Sequence, residues 1–140
     1  YGGLVRMREI QPILETKFSK TDPGGTPVRT AAMWALGMLF EKNPVPELAA
    51  TFAGRIKDRA GVPPEYLPVR RMSVMALGLM RSVESIPVVQ EAYASDSPES
   101  MIPGTARWVL PMLGQPAPAE IPPIEKFVGG WRINVAEGPK

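Results

Sequence analysis

The chain contains neither cysteine nor histidine. Those two absences exclude disulfides, thiolate metal sites, imidazole general bases and the usual zinc and haem ligands. Neither charge sign dominates: 16 Lys and Arg stand against 14 Asp and Glu, a net +2 that does not by itself point to nucleic acid. No apolar run approaches the roughly 18–20 residues of a membrane span. No N-terminal stretch combines a charged region, an apolar core and a cleavage site, as a secretory signal would. What is present is 140 residues with 44% hydrophobic and 21% charged side chains. That composition and length suit one folded domain. The chain opens at Tyr1 rather than Met, so the expectation is a piece of a longer protein.

An internal repeat organises the sequence, and repeats of this kind decide the fold. Thr26-Pro27-Val28-Arg29-Thr30-Ala31-Ala32-Met33-Trp34-Ala35-Leu36-Gly37 returns 41 residues later (Pro27 to Pro68) as Leu67-Pro68-Val69-Arg70-Arg71-Met72-Ser73-Val74-Met75-Ala76-Leu77-Gly78. A third, degenerate copy lies 33 residues further on (Val69 to Ile102), running to Leu113, with Trp108 matching Trp34 and Met75. Val28, Ala31, Ala32, Ala35, Leu36 and Leu39 fall at the spacing of one helix face. The same offsets give Val69, Met72, Ser73, Ala76, Leu77 and Met80, then Ile102, Thr105, Ala106, Val109, Leu110 and Leu113. Trp34 with Met38, Met75 with Leu79, and Trp108 with Met112 form a second apolar row. Helices apolar around so much of their circumference need cover on two sides, and we expect Trp34 and Trp108 in the core between stacked helices.

A second periodic element begins at proline. Pro12, Pro46, Pro87 and Pro122 precede the pairs Leu14/Phe18, Leu48/Phe52, Val89/Tyr93 and Ile124/Val128. Proline in a first helical turn costs no hydrogen bond, and each i, i+4 pair forms a packing stripe on the first helix. The chain therefore reads as helix pairs: a partial repeat over 1–20, then repeats over 26–59, 67–95 and 99–128, and a tail over 129–140. Within them the expected helices run over 26–41, 45–59, 67–81, 86–95, 99–113 and 121–128. Ala60-Gly61-Val62-Pro63-Pro64-Glu65-Tyr66 is the loop that lengthens one repeat. Pro111 should kink or end its helix, and Trp131-Arg132-Ile133-Asn134-Val135 has strand-like composition suited to folding back as a cover. The N-terminal edge lacks a comparable cover, which would permit end-to-end self-association and implies preceding repeats.

The three copies resemble a HEAT-like repeat array, an α-solenoid family. Val28-Arg29, Ala31-Ala32 and Ala35-Leu36-Gly37 carry the resemblance most closely, followed by Val69-Arg70 and Ala76-Leu77-Gly78. In the third copy Pro103 stands in place of the Arg and Pro111 in place of the Gly. The resemblance implies an all-α, right-handed α-solenoid of about three and a half helix-pair repeats with a Pro-rich C-terminal tail. It further implies a partner bound on the concave surface lined by second helices.

No catalytic constellation emerges. Gly24-Gly25 and Gly129-Gly130 lack the flanking elements of a phosphate loop. Ser19-Lys20 and Ser100 have no base at a meaningful spacing. The carboxylate pairs Glu9/Glu15, Glu84/Glu91 and Asp96/Glu99 read as solvated faces and helix caps, with Asp96 or Ser97 capping the following helix. Arg29 and Arg70 occupy equivalent positions and read as a structural ladder to an inter-repeat acid or a neighbouring carbonyl; the alternative is a row of phosphate contacts, since Arg29, Arg70, Arg71 and Arg107 all lie on first helices. The cluster Arg55, Lys57, Asp58 and Arg59 reads as a helix C-terminal charge cap. The expectation is a non-catalytic module, without cofactor or metal, that binds a protein or peptide. Its outward ridge would be Glu15, Lys20, Arg55, Gln90, Glu91 and Lys126. Nucleic-acid binding or base-repair chemistry, as in some HEAT-like glycosylases, ranks below it. So does resemblance to HEAT-like subunits of bilin lyases, which act on tetrapyrroles, because no Cys or His is present as a covalent carrier. No membrane role is expected.

Overall fold

A computed structural model describes residues 25–120. Five α-helices follow in order: α1 (Gly25–Leu39), α2 (Pro46–Lys57), α3 (Leu67–Met80), α4 (Ile86–Ser95) and α5 (Ile102–Met112). Short 3-10 turns at Val83–Ser85 and Pro98–Ser100 lead into α4 and α5, and the described residues contain no strand. Proline opens four of the helices: Pro46 is the first residue of α2, and Pro68, Pro87 and Pro103 are the second residues of α3, α4 and α5. At those positions the missing amide hydrogen has no intrahelical acceptor to lose, and φ is preset. Arg81 ends α3 in the left-handed conformation (φ 58°), its amide donating to the Gly78 and Leu77 carbonyls. Pro111 sits in the last turn of α5, which stops one residue later.

The helices α1, α3 and α5, which carry the three motif copies, lie side by side, with α3 between the other two. Helix α2 packs on α3 and α4 packs on α5, and α2 also touches α4. Second helices thus close mainly on the first helix that follows them, whereas the pairing read from sequence set each against the one before. The tie is visible at Arg70, whose Nε donates to the Ile56 carbonyl at 2.9 Å and fixes the last turn of α2 to α3. The core runs between the two rows and includes Met33 and Leu36 from α1, Leu48, Phe52 and Ile56 from α2, Val69 and Leu77 from α3, Val89 from α4 and Val109 from α5, all fully buried.

The Ala-Leu-Gly motif has a packing origin. A Cβ on Gly37 would stand 3.1 Å from the Ala76 Cα, and a Cβ on Gly78 would stand 2.9 Å from both methyls of Val109. The glycine of each copy therefore meets the alanine position of the next, where Ala76 and Val109 are equivalent. Helix backbones approach this closely only where one side chain is absent.

The expected helix faces hold in α3 and α5, where only Met72 and Thr105 of the named residues are less than buried. In α1 the buried set is shifted by one residue, to Arg29, Ala32, Met33, Leu36, Gly37 and Phe40, leaving Val28, Ala31 and Leu39 exposed. The side of α3 that includes Val69, Ala76 and Met80 faces α1, and α1 has no equivalent neighbour among the described residues. Helix α5 starts at Ile102 rather than near 99, because Met101 adopts a left-handed conformation (φ 61°) after the 3-10 turn. Neither Asp96 nor Ser97 makes a side-chain cap to α5. The partial repeat over 1–20, the helix over 121–128 and the cover over 129–140 lie outside the described residues.

Candidate functional site

Two arginines of the motif lie inside the fold, each against a carboxylate. Arg29, 1% exposed, donates from Nη1 to Glu65 Oε2 at 2.9 Å and from Nη2 to Oε1 at 2.7 Å. Glu65 has no exposed side-chain surface and also accepts from Arg55 Nη1 at 3.3 Å and from the Tyr66 amide at 3.0 Å. Arg70 donates from Nη2 to Asp96 Oδ2 at 2.8 Å, and Arg59 Nη2 reaches the same oxygen at 3.0 Å. Asp96 and Glu65 thus anchor equivalent arginines, the structural ladder expected from the motif. Asp96 is occupied by these guanidinium groups rather than by a helix end. Glu65 reaches Arg29 from the 58–66 loop, whose backbone closes through the Glu65 amide on the Asp58 carbonyl at 3.0 Å. With both motif arginines neutralised internally, first helices present no row of cations from these positions.

The outer surface of the same helices is different in kind. Trp34 is 51% and Trp108 64% exposed, which corrects their expected place in the inter-helix core. Both lie on a stripe that is more exposed than the buried rows, although its members Leu79 and Met112 lie close to Gly37 and Gly78 of the neighbouring first helices. The stripe repeats in register: Pro27, Ala31, Trp34 and Met38 on α1; Pro68, Met72, Met75 and Leu79 on α3; Met101, Thr105, Trp108 and Met112 at and along α5. Eleven of these twelve residues are apolar and all twelve retain exposed surface, in one band across three adjacent helices. Between α1 and α3 the band sinks into a groove of about 430 Å³, lined by Pro27, Thr30, Ala31, Trp34, Pro68 and Met72 together with Thr26. Thr30 Oγ1 donates to the Thr26 carbonyl at 2.7 Å, so its hydroxyl is already satisfied locally.

No family model, curated protein or solved structure matches the chain.

The ridge residues expected from sequence are dispersed. Gln90 and Glu91 are exposed on α4, with Glu91 3.6 Å from Arg59. Arg55 is 22% exposed and held by Glu65. Glu15, Lys20 and Lys126 lie outside the described residues. A shallow groove between α2 and α4, about 250 Å³, is lined by small and charged side chains including Ala50, Lys57 and Glu84. Glu99 is exposed before α5, where a hydrogen bond from its own backbone amide and one from Ser97 lower its pKa below the ordinary value. No group of three or more metal-ligating side chains converges among the described residues. No described helix is long and apolar enough to cross a membrane. The sequence signal for the outer band was the second apolar row itself, and periodicity does not say on which side of a helix its neighbours will lie.

Proposed function

We propose that the chain is a non-catalytic, HEAT-like binding module of stacked helix pairs that engages another protein or peptide. The observation that carries this reading is the apolar band across α1, α3 and α5, above all the half-exposed Trp34 and Trp108 on equivalent positions. Scattered exposed apolar residues are ordinary, but a contiguous apolar patch is the usual mark of a contact surface. Large aromatic side chains rimmed by arginine have the composition of interface centres. On this reading the contact lies on the first helices rather than on the mixed-charge ridge of Gln90 and Glu91. The buried ion pairs of Arg29 and Arg70 weigh against a phosphate-binding row. Site-specific photo-crosslinking in the cell of origin tests the assignment. A benzophenone side chain at position 34, 75 or 108 should capture a protein partner, and one at position 90 or 91 should not. Capture from 90 or 91 alone, or duplex DNA binding that weakens steeply with salt, would overturn it.

A further inference from the structure

The surface has a shape and a charge that select among protein partners, and this inference rests on the binding reading above. We infer that the α1/α3 groove receives an amphipathic helix with apolar residues along one face and carboxylates on the flank that overlies α3.

Shape comes first. The groove runs between two helices of about 21–23 Å length, and a partner helix of about 15 residues matches that length. Its walls, Trp34 and Ala31 on α1, Pro68 and Met72 on α3, offer apolar surface on both sides. Thr26 and Thr30 are the polar side chains of the lining, and the Thr30 hydroxyl donates to the Thr26 carbonyl. A partner with apolar side chains at helical spacing therefore meets a mostly apolar lining here, as in the helix-in-groove mode. Methionine is over-represented nearby, with Met38, Met72 and Met75 bordering the band, and flexible thioethers adapt to the side chains presented to them.

Register then distinguishes the α1/α3 groove from the surface between α3 and α5. Thr30 of α1, Arg71 of α3 and Gly104 of α5 are equivalent positions. The short Thr30 leaves the α1/α3 groove open. Between α3 and α5 the long Arg71 reaches across, its Nη1 3.5 Å from the Met101 sulfur. Thioether sulfur is a weak, uncharged acceptor, and among the described residues no carboxylate pairs with this guanidinium.

Charge follows. Helices α1, α3 and α5 contain Arg29, Arg70, Arg71 and Arg107 and no Asp or Glu. Arg29 and Arg70 are compensated from within by Glu65 and Asp96. Arg107 donates to the Pro118 carbonyl at 3.0 Å and stands 4.0 Å from Glu120. Of these four, Arg71 is left without a carboxylate partner among the described residues. Packed helices sit about 8–10 Å apart, so a helix seated over the groove places its flank above α3, within reach of Arg71. A carboxylate there is attracted and a lysine repelled.

The test uses the full 140-residue chain with two synthetic helical peptides that share Leu and Phe at i, i+3, i+4, i+7 and i+11. One carries Glu and the other Lys on the flanking positions. Binding is read by fluorescence anisotropy, alongside sedimentation with phosphatidylcholine/phosphatidylserine vesicles. The Glu peptide should bind about tenfold more tightly than the Lys peptide. Ala31→Glu, at an exposed position, should abolish binding of both, and Arg71→Gln should erase the preference while circular dichroism stays unchanged. Equal binding of both peptides, still lost in Ala31→Glu, would sink the acidic partner and leave the apolar contact surface standing. Binding of neither peptide overturns the groove inference. If the chain sediments with vesicles through a surface that Ala31→Glu destroys, and binds no peptide, both readings fall.

Discussion

Arg29 and Glu65 show how a single acidic side chain decides the cost of a buried cation. A guanidinium at 1% exposure is tolerable only with a carboxylate in bidentate contact, and Glu65 supplies it from a loop rather than from a helix. Glu65→Ala should therefore cost about 3–5 kcal/mol, because an uncompensated charge is left inside. Asp96→Asn should cost less, about 1–3 kcal/mol, since Arg70 keeps the Ile56 carbonyl and Arg59 is one-third exposed. Urea unfolding followed by circular dichroism measures both, and a larger loss for Asp96→Asn would contradict this ranking. The arginine half of the ladder was legible in sequence, since Arg29 and Arg70 recur in register. Its partner at Arg29 was not. Asp96 lies six residues before Ile102, but the same offset before Val69 falls on Pro63, because the lengthened loop brings the acid in at Glu65 instead.

Helix ends and helix contacts were legible to different degrees. Proline starts and turn residues located α2, α3 and α4 to within two residues, because those signals act locally through φ and the missing amide hydrogen. The choice of partner for α2 was not local. It depends on how the 58–66 loop folds and on the Arg70–Ile56 tie, and neither follows from periodicity. Glycine provides the test at this scale. In a bare helix Gly→Ala gains about 1 kcal/mol of helix propensity. At Gly54 in α2 an added Cβ meets nothing within 4 Å, so Gly54→Ala should stabilise by about 0.5–1 kcal/mol. Gly78→Ala instead forces the new methyl against Val109 and Met112, and should destabilise by about 1–3 kcal/mol. Gly37→Ala meets backbone at Ala76 and should also destabilise. Thermal melts of the three variants check the sign at each position, and a stabilised Gly78→Ala would mean that α3 and α5 are not in close contact.

Across the whole molecule, two apolar rows on each first helix leave open which one is core, and packing settles the question. The row containing Leu36, Leu77 and Leu110 turns inward, and Trp34 and Trp108 of the other row turn out, while Met75 packs partly against the core. From sequence alone the tryptophans are the better core candidates, because they carry the larger area to bury. Their position fails on geometry: among the described residues, no further helix remains to cover the outer stripe. Stability measurements separate these arrangements. Phe52, fully buried between the rows, should lose about 3–5 kcal/mol on truncation to Ala. Trp34→Ala and Trp108→Ala, at half or more exposure, should each cost no more than about 1 kcal/mol, despite removing a larger side chain. Urea midpoints at constant denaturant slope give the comparison directly. If either tryptophan variant proves as damaging as Phe52→Ala, that side chain is holding the fold together and the outer band is no contact surface. If both are tolerated, the fold does not need these two exposed rings for its stability, as the contact-surface proposal requires.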